Sequence, residues 1–136
     1  MSKVLRFKCA MLCALCASLF GCGGAPDGPR MYPINGIVTF QGAPLKEGEV
    51  LVRTDDGKFS AGARVADGKF VLSAPAGPSK VEISAMRDVP GEFREENPGE
   101  RVPVRQQFIP AKYNTESTLK LDVKPDSREA KFELEP

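Results

Sequence analysis

Cys22 is the side chain best placed to do chemistry in this sequence of 136 residues. It follows Leu19-Phe20-Gly21 at the end of an apolar run, so a nucleophilic thiol stands where an export signal would finish. Cys9, Cys13 and Cys16 have a spacing that could suggest a metal cluster, but they lie inside the run, where small polarizable thiols serve as apolar residues. The sequence contains no histidine, so neither a Ser-His nor a Cys-His nucleophile system can be assembled. Ser79 and Lys80 are adjacent on an expected strand and would point to opposite faces. Glu47 and Glu49 are the type of carboxylate pair that hydrolyses glycosides, yet on a turn leading into a strand they are expected to face solvent. Asp55-Asp56-Gly57-Lys58 and Asp67-Gly68-Lys69 read as tight turns, because no Asp-x-Asp-x-Asp-Gly loop with a distal Glu accompanies them. No catalytic residue, cofactor site or metal site is therefore expected, and the chain reads as a non-enzyme.

The segment before Cys22 has the parts of a secretory signal. Lys3, Arg6 and Lys8 supply a positive start, and residues 9–20 form an uncharged apolar stretch. As a helix that stretch would rise only about 18 Å, short of the roughly 30 Å hydrocarbon core of a bilayer. Leu19-Phe20-Gly21-Cys22 resembles the lipobox of bacterial lipoproteins, although Phe20 is bulkier than the small residue usual there. The resemblance implies cleavage after Gly21 and lipidation of Cys22; the other reading is an ordinary secretory signal in which Cys22 is incidental. Loss of residues 1–21 would leave Cys22 as the last cysteine, without a partner for an intramolecular disulfide.

Of 19 basic and 18 acidic residues, the signal removes three basic ones and no acid, so the exported part carries a net charge of −2. With no basic stripe, nucleic acid is not an expected partner. Residues 22–33 combine the Cys22 anchor with a Gly- and Pro-rich tether that supports neither helix nor ladder. It would hold the following domain within roughly 20 Å of the membrane as a coil, or about 35 Å if stretched.

Residues 34–136 are expected to form one domain. Period-two alternation between turn signals predicts strands near 34–40, 49–54, 62–66, 69–74, 80–86, 117–123 and 129–135. In the last, Ala130, Phe132 and Leu134 alternate with Lys131, Glu133 and Glu135. Strands with one wet face pack as two sheets, so the expected fold is all-β, a seven-stranded antiparallel β-sandwich. The stretch 87–107 is densely charged and punctuated by Pro90, Pro98 and Pro103. It reads as a long irregular crossover, with Val102 and Val104 able to add a short edge strand, or as a recognition loop.

Four motifs in order then match one family. Residues 34–45, Ile-Asn-Gly-Ile-Val-Thr-Phe-Gln-Gly-Ala-Pro-Leu, resemble the opening of carboxypeptidase regulatory-like domains, which are transthyretin-like (prealbumin-like) β-sandwiches. Asp67-Gly68-Lys69-Phe70-Val71-Leu72 and the run Ala76-Gly77-Pro78-Ser79-Lys80-Val81 resemble later strands of that pattern. Ile109-Pro110-Ala111-Lys112-Tyr113-Asn114 resembles the tail of small bacterial lipoproteins that carry it. The hydroxyisourate hydrolases of related fold rely on histidines and a Tyr-Arg-Gly-Ser-type ending, and this chain ends Phe-Glu-Leu-Glu-Pro. An isopeptide-forming sandwich would need Asn35 or Asn114 buried beside a lysine and an acid. Tyr113 is expected to pin a long connection to the sandwich edge, and Gly36 and Gly42 to serve close backbone approach or positive φ.

The resulting expectation is a membrane-anchored lipoprotein in the cell envelope, facing the periplasm or the cell surface. Its sandwich would serve as an interaction or envelope-structural module. Its partners would be the membrane, through lipid on Cys22, and an envelope protein or glycan. A small-ligand or carbohydrate-binding domain is the alternative, with no Trp and only Tyr32 and Tyr113 as tyrosines to support a sugar platform.

Overall fold

A computed structural model describes residues 28–126 and 128–136. Residues 1–27, which hold the expected signal peptide, Cys22 and most of the expected tether, lie outside the described residues. The described residues are all-β, with ten strands and one short 3-10 turn. These are β1 (Met31–Phe40), β2 (Ala43–Pro44), β3 (Glu47–Thr54), β4 (Ser60–Ala66) and β5 (Lys69–Pro75), then β6 (Gly77–Ser84), β7 (Met86–Asn97), β8 (Glu100–Gln107), β9 (Lys120–Val123) and β10 (Glu129–Leu134). Among the described residues no helix is long and apolar enough to cross a membrane.

The predicted strands all form, and the alternation that predicted them decides which side chains enter the core. In β10 every second residue, Ala130, Phe132 and Leu134, is buried, and in β6 the buried set is Ser79, Val81 and Ile83. Eight strands make one sheet in the order β10-β1-β5-β4-β3-β6-β9, with β2 added to β1. The sheet folds over between β4 and β5, which share a single register pair, Ala66 with Lys69, beside the Asp67-Gly68 turn. Beyond it the strands part, and β10-β1-β5 closes over β4-β3-β6-β9. Ile34, Phe70, Leu72 and Phe132 from one half join Val50, Val52, Val81 and Ile83 from the other in one core, a β-sandwich-like arrangement.

The turns are set by residues that accept positive φ. Asp67 and Gly68 adopt φ of 49° and 75°, and Gln41 and Gly42 adopt 52° and 77°. These are two-residue turns of the I′ kind, whose twist matches that of the strands they join. Gly36 answers a different need. A Cβ there would lie 1.9 Å from Phe70 Cε1, so the glycine lets the Phe70 ring lie across β1 and stack on Phe132 at 6.3 Å.

Three expectations are corrected. Among the described residues the strands number ten, since β2, β7 and β8 join the predicted seven, and β1 starts at Met31. The sheet is not wholly antiparallel: β10 runs parallel to β1 from Asn35 with Glu129 to Phe40 with Leu134. A parallel edge strand with one wet face has the same alternation as an antiparallel one, so sequence pattern does not distinguish them. Finally, residues 87–107 are no irregular crossover. They form most of a two-stranded antiparallel ribbon, β7 with β8, closed by Pro98-Gly99 with Gly99 at φ 85°. Pro98 acts as a turn former there, and Pro90 falls where the register shifts between Asp88 and Phe93.

Candidate functional site

The strand directions place the ribbon. β1 runs from Met31 at one end of the sandwich to Phe40 at the other, and β5 returns with Pro75 opposite Met31. Following the ladder through β4 and β3, β6 begins at the Met31 end and reaches the far end at Ser84, opposite Glu49. The ribbon starts two residues later. It therefore leaves the end of the sandwich opposite to the one where the N-terminal segment joins.

Its root is fixed by hydrogen bonds that bridge the two strands. Ala85 N–H donates to Gln107 Oε1 at 2.9 Å, Ile109 N–H donates to the same oxygen at 3.3 Å, and Phe108 N–H donates to Ala85 O at 3.1 Å. Phe108 meets Phe40 edge to face at 5.6 Å, and the Arg87 guanidinium lies 5.7 Å from the Phe108 ring. Beside this root Phe40, Pro44, Leu45, Met86 and Phe108 line an apolar notch of about 460 Å³, rimmed by Lys46, Glu47 and Arg87.

Beyond the root the ribbon holds itself together. Arg105 pairs with Asp88 at 3.5 Å, Asn97 donates to Glu100 at 2.7 Å, and Gly99 N–H donates to Glu95 at 2.8 Å. The Arg101 guanidinium covers Phe93 at 5.1 Å, yet Phe93 remains 52% exposed. Residues 91–101 are exposed on both faces. A two-stranded ribbon of this kind is marginal in water by itself, so it gains order from whatever it packs on.

The other residues singled out in the sequence are dispersed. Glu47 and Glu49 are exposed on the outer face of β3, with Glu49 in register with Arg64. Ser79 is fully buried and Lys80 points outward to Glu82 at 3.0 Å, so the two do face opposite ways. Asn35 is exposed on β1, and Asn114 donates to the carbonyls of Ile109 and Pro110, both at 3.0 Å. Neither has the surroundings of an isopeptide bond. Tyr113, in the 3-10 turn Ala111–Tyr113, accepts from Glu135 N–H at 3.0 Å, while Lys112 donates to Pro136 O at 2.8 Å. The turn thus pins the chain's last residues to the sandwich edge. In the 54–59 turn the Thr54 hydroxyl, then Lys58 N–H, hold the Asp56 carboxyl below its ordinary pKa. Lys131 does the same for Glu133. Both groups are fully exposed and belong to local pairs. No group of three or more metal-ligating side chains occurs among the described residues.

No family model matches the chain, and no curated protein does either. A solved structure, that of a DUF3823 family protein from Parabacteroides merdae, is similar at 16% identity with a TM-score of 0.41. The alignment covers 79% of this chain and 46% of that one, so the chain spans about half the length of that protein.

Proposed function

We propose that the protein is an exported lipoprotein, anchored through lipid on Cys22. Its transthyretin-like, carboxypeptidase regulatory-like sandwich would serve as a non-catalytic spacer that presents the β7–β8 ribbon to an envelope partner. The observation that carries this reading is the opposition of the two ends. The N-terminal segment joins at Met31, and the ribbon with its apolar notch leaves from the Phe40 end. A membrane attached to the first would leave the second facing away from lipid.

The test has two arms. In bacterial cells Cys22→Ser should release the domain from the membrane fraction or leave its signal uncleaved; a cleaved, membrane-bound product refutes the anchor. Replacing residues 87–106 with a short Gly/Ser link should remove the proteins crosslinked to the chain without lowering its amount. An unchanged crosslinking pattern refutes the ribbon as the presented surface.

A further inference from the structure

Asn35 and Gly36 stand together in the middle of β1 under different constraints. Gly36 is fixed by packing, since it is buried and a Cβ there would lie 1.9 Å from the Phe70 ring. Asn35 is exposed. An asparagine before a glycine is the pair most open to attack on its side-chain amide by the next backbone nitrogen, because glycine brings no Cβ to hinder the approach and leaves the backbone its widest freedom. The other two asparagines lack this arrangement. Asn97 precedes Pro98, whose nitrogen carries no hydrogen to lose. Asn114 precedes the β-branched Thr115; its Nδ2 donates to the carbonyls of Ile109 and Pro110, and its Oδ1 accepts from Thr115 N–H at 2.8 Å.

The fold closes the Asn35 site. Asn35 N–H donates to Arg128 O at 2.7 Å, toward β10, and Val38 N–H donates to Gly68 O at 2.8 Å, toward β5. Successive N–H groups of a strand point to opposite neighbours, so Gly36 N–H faces β5, where its register partner is Phe70. The nitrogen that would attack is therefore committed to a ladder. Attack also needs Asn35 ψ turned far from the strand value of about +115 to +135°. Held between Val71 on one side and Glu129 on the other, Asn35 makes that turn only if β1 leaves both neighbours.

We infer that Asn35 is a deamidation site that folding closes and unfolding opens, and that its conversion to isoaspartate prevents the chain from folding again. In the unfolded chain the Gly36 nitrogen, its proton lost to base, bonds to Asn35 Cγ; the Cγ–Nδ2 bond breaks and the side-chain nitrogen leaves as ammonia. Water opens the resulting five-membered imide at either carbonyl, giving aspartate or isoaspartate. Isoaspartate carries the main chain through its side-chain methylene and so adds one atom to the backbone inside β1. The ladder to β5 over Met31 to Ile37 and the ladder to β10 over Asn35 to Phe40 then no longer fit one register. Aspartate keeps the backbone but sets a second carboxylate beside Glu129, its register partner. A chain that folds promptly is protected, and one that lingers unfolded is withdrawn. The site depends on neither the anchor nor the ribbon.

The full-length chain in detergent is held at mildly alkaline pH with and without guanidinium chloride above its unfolding midpoint. Conversion is read at each asparagine by peptide mapping and by enzymatic methylation of isoaspartate. Asn35 should convert about a hundredfold or more faster in denaturant, because the folded chain reacts only through its rare open state. Asn97 and Asn114 should stay amides while Asn35 converts. Once denaturant is removed, unconverted chains should regain resistance to protease and isoaspartate chains should not. Asn35→Ser should fold and should keep its capacity to refold through the same incubation. Asn35→Asp should refold with a lower urea midpoint, which separates the backbone change from the charge. Equal conversion in the two states overturns the protection, and refolding of the isoaspartate chain overturns the consequence. An equal loss of refolding in Asn35→Ser overturns Asn35 as the site, and failure of Asn35→Asp to refold overturns the backbone account.

Discussion

Gly36→Ala is the sharpest test of how the two halves of the sheet pack. The added methyl would fall 1.9 Å from Phe70 Cε1 and Cζ, far inside contact distance, and Gly36 is paired with Phe70 on one side and Ala130 on the other. The ring must therefore tilt out of its stack with Phe132 or the strands must part. Overpacking of this kind costs about 1–3 kcal/mol. Replacing a strand glycine by alanine returns about 0.5–1 kcal/mol through the unfolded chain. The net loss should be about 1–2 kcal/mol, or roughly 5–12 °C in melting temperature for a domain of this size. The decisive measurement is a double-mutant cycle in urea. Phe70→Leu alone should cost about 1–2 kcal/mol in lost area and stacking. Adding Gly36→Ala to it should then cost nothing or restore a little, a coupling of about 1 kcal/mol or more. Gly36→Ala without loss of stability, or with the same loss in both backgrounds, would show that the Phe70 ring is not why a glycine stands there.

Three further outcomes follow from individual side chains. Ser79 is fully buried and its hydroxyl has no hydrogen-bond partner among the described residues, so Ser79→Ala should stabilise the domain by about 1 kcal/mol, read as a higher urea midpoint at unchanged slope. Tyr113→Phe should speed amide exchange at Glu135 while moving the global stability by no more than about 0.5–1.5 kcal/mol, since it removes one hydrogen bond at the chain end. The Asp56 carboxyl should titrate below the ordinary aspartate value by NMR, and Thr54→Val should move it upward. Because the folded state depresses that pKa, the associated stability is present above the unfolded value. It fades as pH falls through the folded one; a midpoint insensitive to Thr54→Val would remove the hydroxyl as the cause.

Much of the fold was legible because burial on one face writes itself as alternation. Val81, Ile83 and Ala85, or Ala130, Phe132 and Leu134, are apolar because the opposite half of the sheet covers them. The Asp-Gly turns were legible because positive φ admits few residue types. The ribbon was not, because a strand pair wet on both faces has no apolar period to read, and the register shift after Asp88 breaks what remains. Its prolines suggested interruption, whereas Pro98 closes the hairpin. Pairing of β1 with β10 joins segments about ninety residues apart in sequence, a distance at which local pattern is silent. Whether an isolated glycine inside a strand serves packing or leaves space depends on its neighbours. Gly36 and Gly62 differ in just that respect.

The position of β1 also has a mechanical meaning. It is the first strand, held on one side by β5 over Met31 to Ile37 and on the other by β10 over Asn35 to Phe40. A pull applied between the N-terminal segment and the far end of the sandwich runs along this strand. Ladder hydrogen bonds lie across that direction, so the load is shared by both ladders in shear and does not peel them open one at a time. A domain stretched between a fixed base and a bound partner would yield last at the strand to which its base is joined.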